Sequence, residues 1–228
     1  GRDIGETLGH DRANLCIVAS LEEALATPID VLIDYTGPEG LKDRILVALD
    51  KGVRVVVGSS GLTATEYAEI AQAAQARKIG VIAAGNFSIT AALAKHMALM
   101  AARYAPAWEI IDYADAGKVD APSGTTRELA EELASMSQTQ PAVPLEETHG
   151  SRAARGATIG GTQVHSLRLP GYTLSFEAIF GLPGERLSIR HDAGAGAEPY
   201  VSGTLLAARK VLEVTGLVRG FDRLLFRT

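Results

Sequence analysis

Between residues 29 and 104 the chain alternates short β-branched runs with stretches of helical composition, and few folds accept that order. Ile29-Asp30-Val31-Leu32-Ile33-Asp34-Tyr35 predicts a buried strand ending at Thr36-Gly37-Pro38. Residues 38–50 predict a helix, with proline in the first turn and Gly52 just past the end. Val53-Arg54-Val55-Val56-Val57 is a second strand, too uniformly apolar for one that is half exposed. An Ala/Glu/Gln-rich helix over 64–77 follows, then a third strand over 80–84, then a long helix over 89–104 capped by Ser88. Strand, helix and strand in that spacing are the βαβ signature of a parallel sheet with helices on its faces, an α/β architecture.

The second half changes character. A strand over 109–113 leads to a helix over 123–136, and residues 138–155 form an exposed connection. β-rich runs at 162–168, 172–180 and 185–190 are split by Pro170-Gly171 and Pro183-Gly184, turn pairs that predict antiparallel neighbours. With a closing helix over 200–214, this half reads as α+β with a mixed or antiparallel sheet. At 228 residues and 46% hydrophobic, the chain can bury a core for one large or two small domains. Its 22 basic and 27 acidic residues, net −5, argue against nucleic acid as a partner. No run approaches the ~20 apolar residues of a membrane helix. The single cysteine, Cys16, excludes an internal disulfide framework and suits a reducing cytoplasm. His10, His96, His149, His165 and His191 share no metal-ligand spacing, so no metal site is expected, and His96 reads as a packed core residue.

Three strings carry candidate chemistry. Gly58-Ser59-Ser60-Gly61 follows the second strand and Gly85-Asn86-Phe87-Ser88 the third. In a parallel sheet ligands bind outside the carboxyl ends of the strands, where small residues let backbone amides approach a phosphate or a ring. Gly-Ser-Ser-Gly also fits a plain strand-to-helix turn. The sharpest string is Lys118-Val119-Asp120-Ala121-Pro122-Ser123-Gly124-Thr125. It opens a helix, so the amides at Gly124 and Thr125 lie where a carboxylate or phosphate binds, and Lys118 can point into the same space. The plain alternative makes Ser123 an N-cap and Lys118 a solvated loop lysine.

Taken in order, these strings resemble the dihydrodipicolinate reductase family of the diaminopimelate route to lysine. Gly58–Gly61 resembles its Gly-Thr-Thr-Gly loop, and Ala84-Gly85-Asn86-Phe87-Ser88 its Ala-Asn-Phe-Ser loop. Lys118 through Thr125 matches its Lys-x-Asp-Ala-Pro-Ser-Gly-Thr string without a gap. Residues 31–39 and the Gly-Glu-Arg-Leu…His pattern at 184–191 extend the likeness over nearly the whole chain. The resemblance implies a Rossmann-like cofactor domain over 1–86, a substrate and oligomerisation domain with an open mixed sheet over 87–205, and a tail over 206–228 returning to the first domain. It implies NADPH or NADH as cofactor, a small-molecule cyclic imine as substrate, and a homotetramer. Carried over by position, Gly58, Ser59, Ser60, Ala84, Gly85, Asn86 and Phe87 contact the cofactor. Ser123, Gly124 and Thr125 bind the substrate, beside Asp115, and Lys118 donates a proton.

Two departures from the family pattern stand out. No G-x-G-x-x-G fingerprint occurs in the sequence, and Gly1-Arg2-Asp3-Ile4 resembles a segment that follows the family's first strand, turn and helix; that first βαβ part is expected upstream. The family's Glu-x-His-His-x-x-Lys becomes Asp112-Tyr113-Ala114-Asp115-Ala116-Gly117-Lys118, so both histidines are replaced and Asp115, three residues before Lys118, is expected to hold it. Loss of positive charge favours a second reading, reduction of a less anionic imine or ketone, and leaves a third, a non-catalytic nucleotide- or partner-binding relative.

Overall fold

Strand propensity, period and capping together account for most element boundaries in the computed structural model, which describes residues 1–136, 139, 141 and 143–226. In chain order the elements are α1 (Ile4–Thr7), α2 (Leu21–Ala24), β1 (Val31–Asp34), α3 (Leu41–Asp50), β2 (Arg54–Val57), α4 (Ala64–Arg77), β3 (Gly80–Ala83), α5 (Ile89–Ala101), β4 (Ala107–Ala114), α6 (Gly124–Met136), β5 (Ala157–Ile159), β6 (Thr162–Arg168), β7 (Leu174–Leu182), β8 (Glu185–Ala193), α7 (Glu198–Lys210), β9 (Gly216–Arg219) and α8 (Phe221–Leu225). The chain divides into two units. One comprises Gly1–Ile82 with Ala208–Val218, and the other comprises Ala83–Ala207 with the residues from Arg219 onward.

The first unit is built on a four-stranded sheet in the order β1-β2-β3-β9. β1 and β2 run parallel, with Val31 opposite Arg54 and Asp34 opposite Val57. Gly216 N donates to Ile79 O and Gly220 N to Ala83 O, so β9 runs alongside β3 in the same direction. Val55, Val56, Val57, Val81 and Ile82 are buried, as strands covered on both faces require. α3 buries Leu41, Ile45, Ala48 and Leu49, the i, i+4, i+7, i+8 stripe of an amphipathic helix. α4 starts on a capping box, in which Thr63 and Glu66 bond each other's backbone amides. The closing helix ends earlier than its composition predicts, at Lys210, and the chain turns into β9, a strand the sequence reading does not separate.

The second unit holds a mixed sheet in the order β5-β6-β4-β7-β8. β4 is parallel to β6 and antiparallel to β7, and β7 pairs antiparallel with β8. Pro183-Gly184 makes the expected hairpin: Leu182 pairs with Glu185, and Gly184 takes the positive φ of 83° the turn needs. Pro170-Gly171 does not join neighbours. β6 and β7 lie on opposite sides of β4, which inserts between them and satisfies the inner edge of each. One face of the sheet, through Trp108, Ile110, Phe176, Ala178 and Phe180, packs with Leu129 and Leu133 of α6 and a row of alanines on α5. Trp108 Nε1, buried there, donates to Thr162 Oγ1 at 2.9 Å. The expected exposed connection over 138–155 falls partly outside the described residues, at 138, 140 and 142. No helix among the described residues is long and apolar enough to cross a membrane.

Candidate active site

In the first unit the carboxyl end of β1 is a buried carboxylate, Asp34. Its Oδ1 accepts from Thr36 N (3.1 Å), Thr36 Oγ1 (3.0 Å) and Ser59 Oγ (2.7 Å), and its Oδ2 from Arg44 Nε (2.7 Å). Burial works to raise this carboxyl, but the Arg44, Ser59 and Thr36 donors prevail and hold it at about 2. The main-chain oxygen of Asp34 accepts from the amides of Gly58 and Ser59 at 2.9 and 3.2 Å. The Gly58–Gly61 loop is therefore fastened to β1. Gly58 is required by its neighbour, because a Cβ there would fall 2.0 Å from the Tyr35 ring. Ser59 turns its hydroxyl to Asp34. Ser60 and Gly61 are the exposed part of the loop.

In the second unit the stretch after β3 folds onto its own helix. Asn86 Oδ1 accepts from Ser88 N at 2.8 Å, and Ser88 Oγ accepts from Ala91 N at 3.2 Å, capping α5. Gly85 is exposed and Asn86 half-buried, whereas Ala84 and Phe87 are buried. The Phe87 ring tilts against Phe221 at 5.3 Å, so this residue can offer a ligand only its backbone. α7 presses on the same stretch at Gly203, where a Cβ would lie 1.8 Å from Phe87 O. His191 Nε2 sits 3.4 Å from Ser88 Oγ and 3.1 Å from Thr90 Oγ1. Burial lowers its pKa, more than Asp192 raises it, which favours the neutral imidazole.

The octapeptide is anchored from below by Asp112, a fully buried carboxylate on β4. Asp112 accepts from Ser123 N (3.0 Å), Ser123 Oγ, Thr126 Oγ1 (2.9 Å), Ser166 Oγ (3.2 Å) and Arg168 Nη2 (2.8 Å). Burial raises its pKa, but these donors outweigh burial and keep it below the usual carboxylate range. Ser123 is consequently buried and bound to Asp112, and it fixes the start of α6. Gly124 is exposed with open space around it, and the hydroxyl of buried Thr125 accepts from Asn86 Nδ2 at 3.4 Å. The leading amides of α6 have no partners within the helix, so this end can hold an anion. Lys118 does not pair with Asp115. Its ammonium lies 2.7 Å from Asp120 Oδ1, while Asp115 accepts from Gly117 N at 2.9 Å and closes a tight turn.

Three residues of this region escape a reading by sequence. Asp112 and Arg168 are two, and the third is Lys95 on α5, buried and in contact with Glu128, Glu132 and Asp222. His96, expected in the core, is half-buried and stacks on Phe226 at 4.2 Å. The only forewarning for Asp112 is alternation, which puts it on the face of Trp108 and Ile110. The donor set suits a nicotinamide. Gly85 leaves its main chain uncovered, since a Cβ there would meet only a Glu128 carboxylate oxygen at 3.4 Å. Asn86 brings a carboxamide beside it.

A parallel sheet with small-residue loops at its strand ends, and a second unit with a mixed sheet and an open helix start, fit the class of NAD(P)H-dependent oxidoreductases. Residues 1–87 match the family model described as dihydrodipicolinate reductase, N-terminus, and residues 86–225 the model described as dihydrodipicolinate reductase, C-terminus. The chain belongs to the dihydrodipicolinate reductase family. It is 40% identical over 227 residues to the 4-hydroxy-tetrahydrodipicolinate reductase of Carboxydothermus hydrogenoformans, covering 99% of this chain and 86% of that one. The enzyme of the same name from Thermosynechococcus vestitus is 36% identical, with 99% and 83% covered. Among solved structures, the dipicolinate-bound dihydrodipicolinate reductase of Paenisporosarcina sp. TG-14 superposes with a TM-score of 0.79 at 31% identity, over 98% of this chain and 86% of that one. An amine dehydrogenase from Mycobacterium smegmatis, 14% identical with a TM-score of 0.61 over 98% and 84%, shares the fold.

Proposed function

We propose that this chain reduces the cyclic imine derived from 4-hydroxy-tetrahydrodipicolinate, in the diaminopimelate route to lysine, with NADPH or NADH. NADPH or NADH, when bound, supplies the hydride. Gly58, Ser60, Gly85 and Asn86 are the residues that would hold it, mainly through main-chain atoms, with Ser59, Ala84 and Phe87 shaping the loops. The α6 start at Gly124 and Thr125 takes a substrate carboxylate, and Lys118 delivers the proton. The observation that carries this reading is the Asn86–Thr125 hydrogen bond, which joins the expected cofactor loop to the expected carboxylate site within one unit. In the same reading the cofactor part spans 1–86 and the substrate and assembly part 87–205, and the enzyme works in the cytoplasm as a homotetramer. An apolar groove of about 630 Å³, lined by Met97, Met100, Tyr104, Leu182 and Leu187, supports such an assembly.

One observation favours a less anionic imine or ketone. Lys118 and Arg168 are each already paired, with Asp120 and Asp112, and the exposed Asp115 three residues before Lys118 adds a negative charge to the segment. Following NADPH oxidation with the lysine-pathway substrate and with neutral imines separates the two readings. On whichever substrate is accepted, Lys118→Ala should cut kcat/KM by roughly 10²–10⁴, the range for a positioned acid. Undiminished turnover in that variant would remove the proton-donor role from Lys118, whereas no NADPH oxidation by the wild-type chain with any imine would favour the non-catalytic relative.

A further inference from the structure

α5 starts directly after Asn86 and Phe87, and α6 starts at Gly124 and Thr125, so the distance between the two candidate loops is set by how these helices are joined. They are joined through Lys95. On a helix face otherwise made of alanine, this side chain is buried, and its ammonium lies 2.8 Å from Glu128, 2.8 Å from Glu132 and 3.0 Å from Asp222. We propose that Lys95 is a positioning residue, whose three ion pairs hold the Asn86 loop and the Thr125 helix start at the separation the reduction needs. The proposal rests on the reductase reading given above.

Neutralising a buried lysine takes one carboxylate. Three carboxylates leave the group with an excess of two negative charges, each with its own desolvation cost, so charge balance does not explain the arrangement. Geometry does. The ammonium donates to two acids on successive turns of α6, and a third acid, on α8, pairs with its charge at 3.0 Å. Acids on two helices hold the lysine from different sides, and α5 cannot slide on α6 without breaking a contact. Burial opposes the charge on Lys95, yet the three acids together raise its pKa well above the ordinary lysine value. Glu132 is raised too, by burial first, with Asp222 and Glu128 adding to it against Lys95. Lys95, Glu128, Asp222, Asn86 and Thr125 also line one small cavity of about 20 Å³, so the clamp and the loop junction share a wall.

Glu128→Gln tests this, because it keeps an acceptor and leaves Lys95 two acids. Kinetics and amide hydrogen exchange are measured on the ligand-free and turning-over full chain, with Lys95→Met as a second variant. The expected result for Glu128→Gln is a kcat about 10-fold lower, with KM for cofactor and substrate within threefold, since misplacement of reacting groups acts on the chemical step. Exchange should quicken at residues 84–92 and 123–129 and stay unchanged in β4 and β7. Restoration of most of the lost kcat by Glu128→Asp supports the clamp. Unchanged exchange in both segments overturns it, as does an increase spread over the whole unit, which would mark a merely structural tie. Should no imine support NADPH oxidation by the wild-type chain, the reductase reading fails, and the exchange pattern still decides whether Lys95 sets the spacing. If Lys95→Met does not fold, Glu128→Gln alone decides between these outcomes.

Discussion

Asp34 and Asp112 are buried carboxylates, one in each unit, the first on the outermost strand β1 of its sheet and the second on the central strand β4, and both gather donors from several segments of the chain. They differ in what surrounds the charge. Asp34 closes its strand, and its cation, Arg44, is a quarter exposed and also donates to the carbonyls of Gly37 and Glu39. Asp112 lies inside its strand with no exposure at all, and Arg168 leans on it and on Asp120 O, with Nε of Arg168 buried and unpartnered. The first anchor holds a loop whose far side, Ser60 and Gly61, is exposed. The second supports a helix start whose amides must be presented in one geometry. A carboxylate near a solvated edge tunes; a carboxylate in the core commits the fold to it.

The largest effect expected from this contrast is on stability. Asp112→Ala leaves Arg168 only the carbonyls of Leu167 and Asp120, strands four other donors beside a fully buried site, and should destabilise by about 3–5 kcal/mol in urea unfolding. Asp34→Ala should cost roughly 1–3 kcal/mol, because Arg44 keeps other acceptors and some water. Equal losses would break the contrast. The next effect is a pH dependence. Asp34 has its folded pKa depressed from 3.8 to about 2, so its contribution is fully present above pH ~4 and is lost as pH falls through 2. That contribution is about 2 kcal/mol, and the difference in stability between wild type and Asp34→Asn should shrink by that amount over the interval. A difference that stays flat between pH 4 and 2 would show that the carboxylate is not held by its donors. The smallest effect separates the two serines. Ser59→Ala should cost about 1 kcal/mol and Ser123→Ala about 2 kcal/mol, since only the second lies beneath a helix start as well as against a buried charge. Thermal melts giving the reverse order would overturn the ranking.

Much of this frame was legible in the sequence. The apolar run at 53–57 and the capping box at Thr63–Glu66 put β2 and α4 where composition places them, and α4 spans the expected 64–77. β9 was hidden because four residues are too few for a period, and its pairing with β3 joins segments more than 130 residues apart. The turn at Pro170-Gly171 was legible as a turn, but which strand would enter beside it depends on long-range pairing. The candidate site followed the same division. Glycine loops and the octapeptide announce themselves by local chemistry, whereas a lysine on an alanine helix reads as solvated until the acids at 128, 132 and 222 are brought to it. Ser59 and Ser123 were legible as polar loop residues, and only the buried carboxylates beneath them decide where their hydroxyls point.

The two close approaches at Gly58 and Gly203 set different rules for how this sequence can drift. At Gly58 the obstacle is the ring of Tyr35, a side chain that a substitution can shrink, so a change at 35 opens the way for a change at 58 and the two positions are coupled in order. At Gly203 the obstacle is the main-chain oxygen of Phe87, and no substitution at 87 removes it. One glycine is contingent on its neighbour's history. The other is closed to replacement by any route that keeps α7 where it lies.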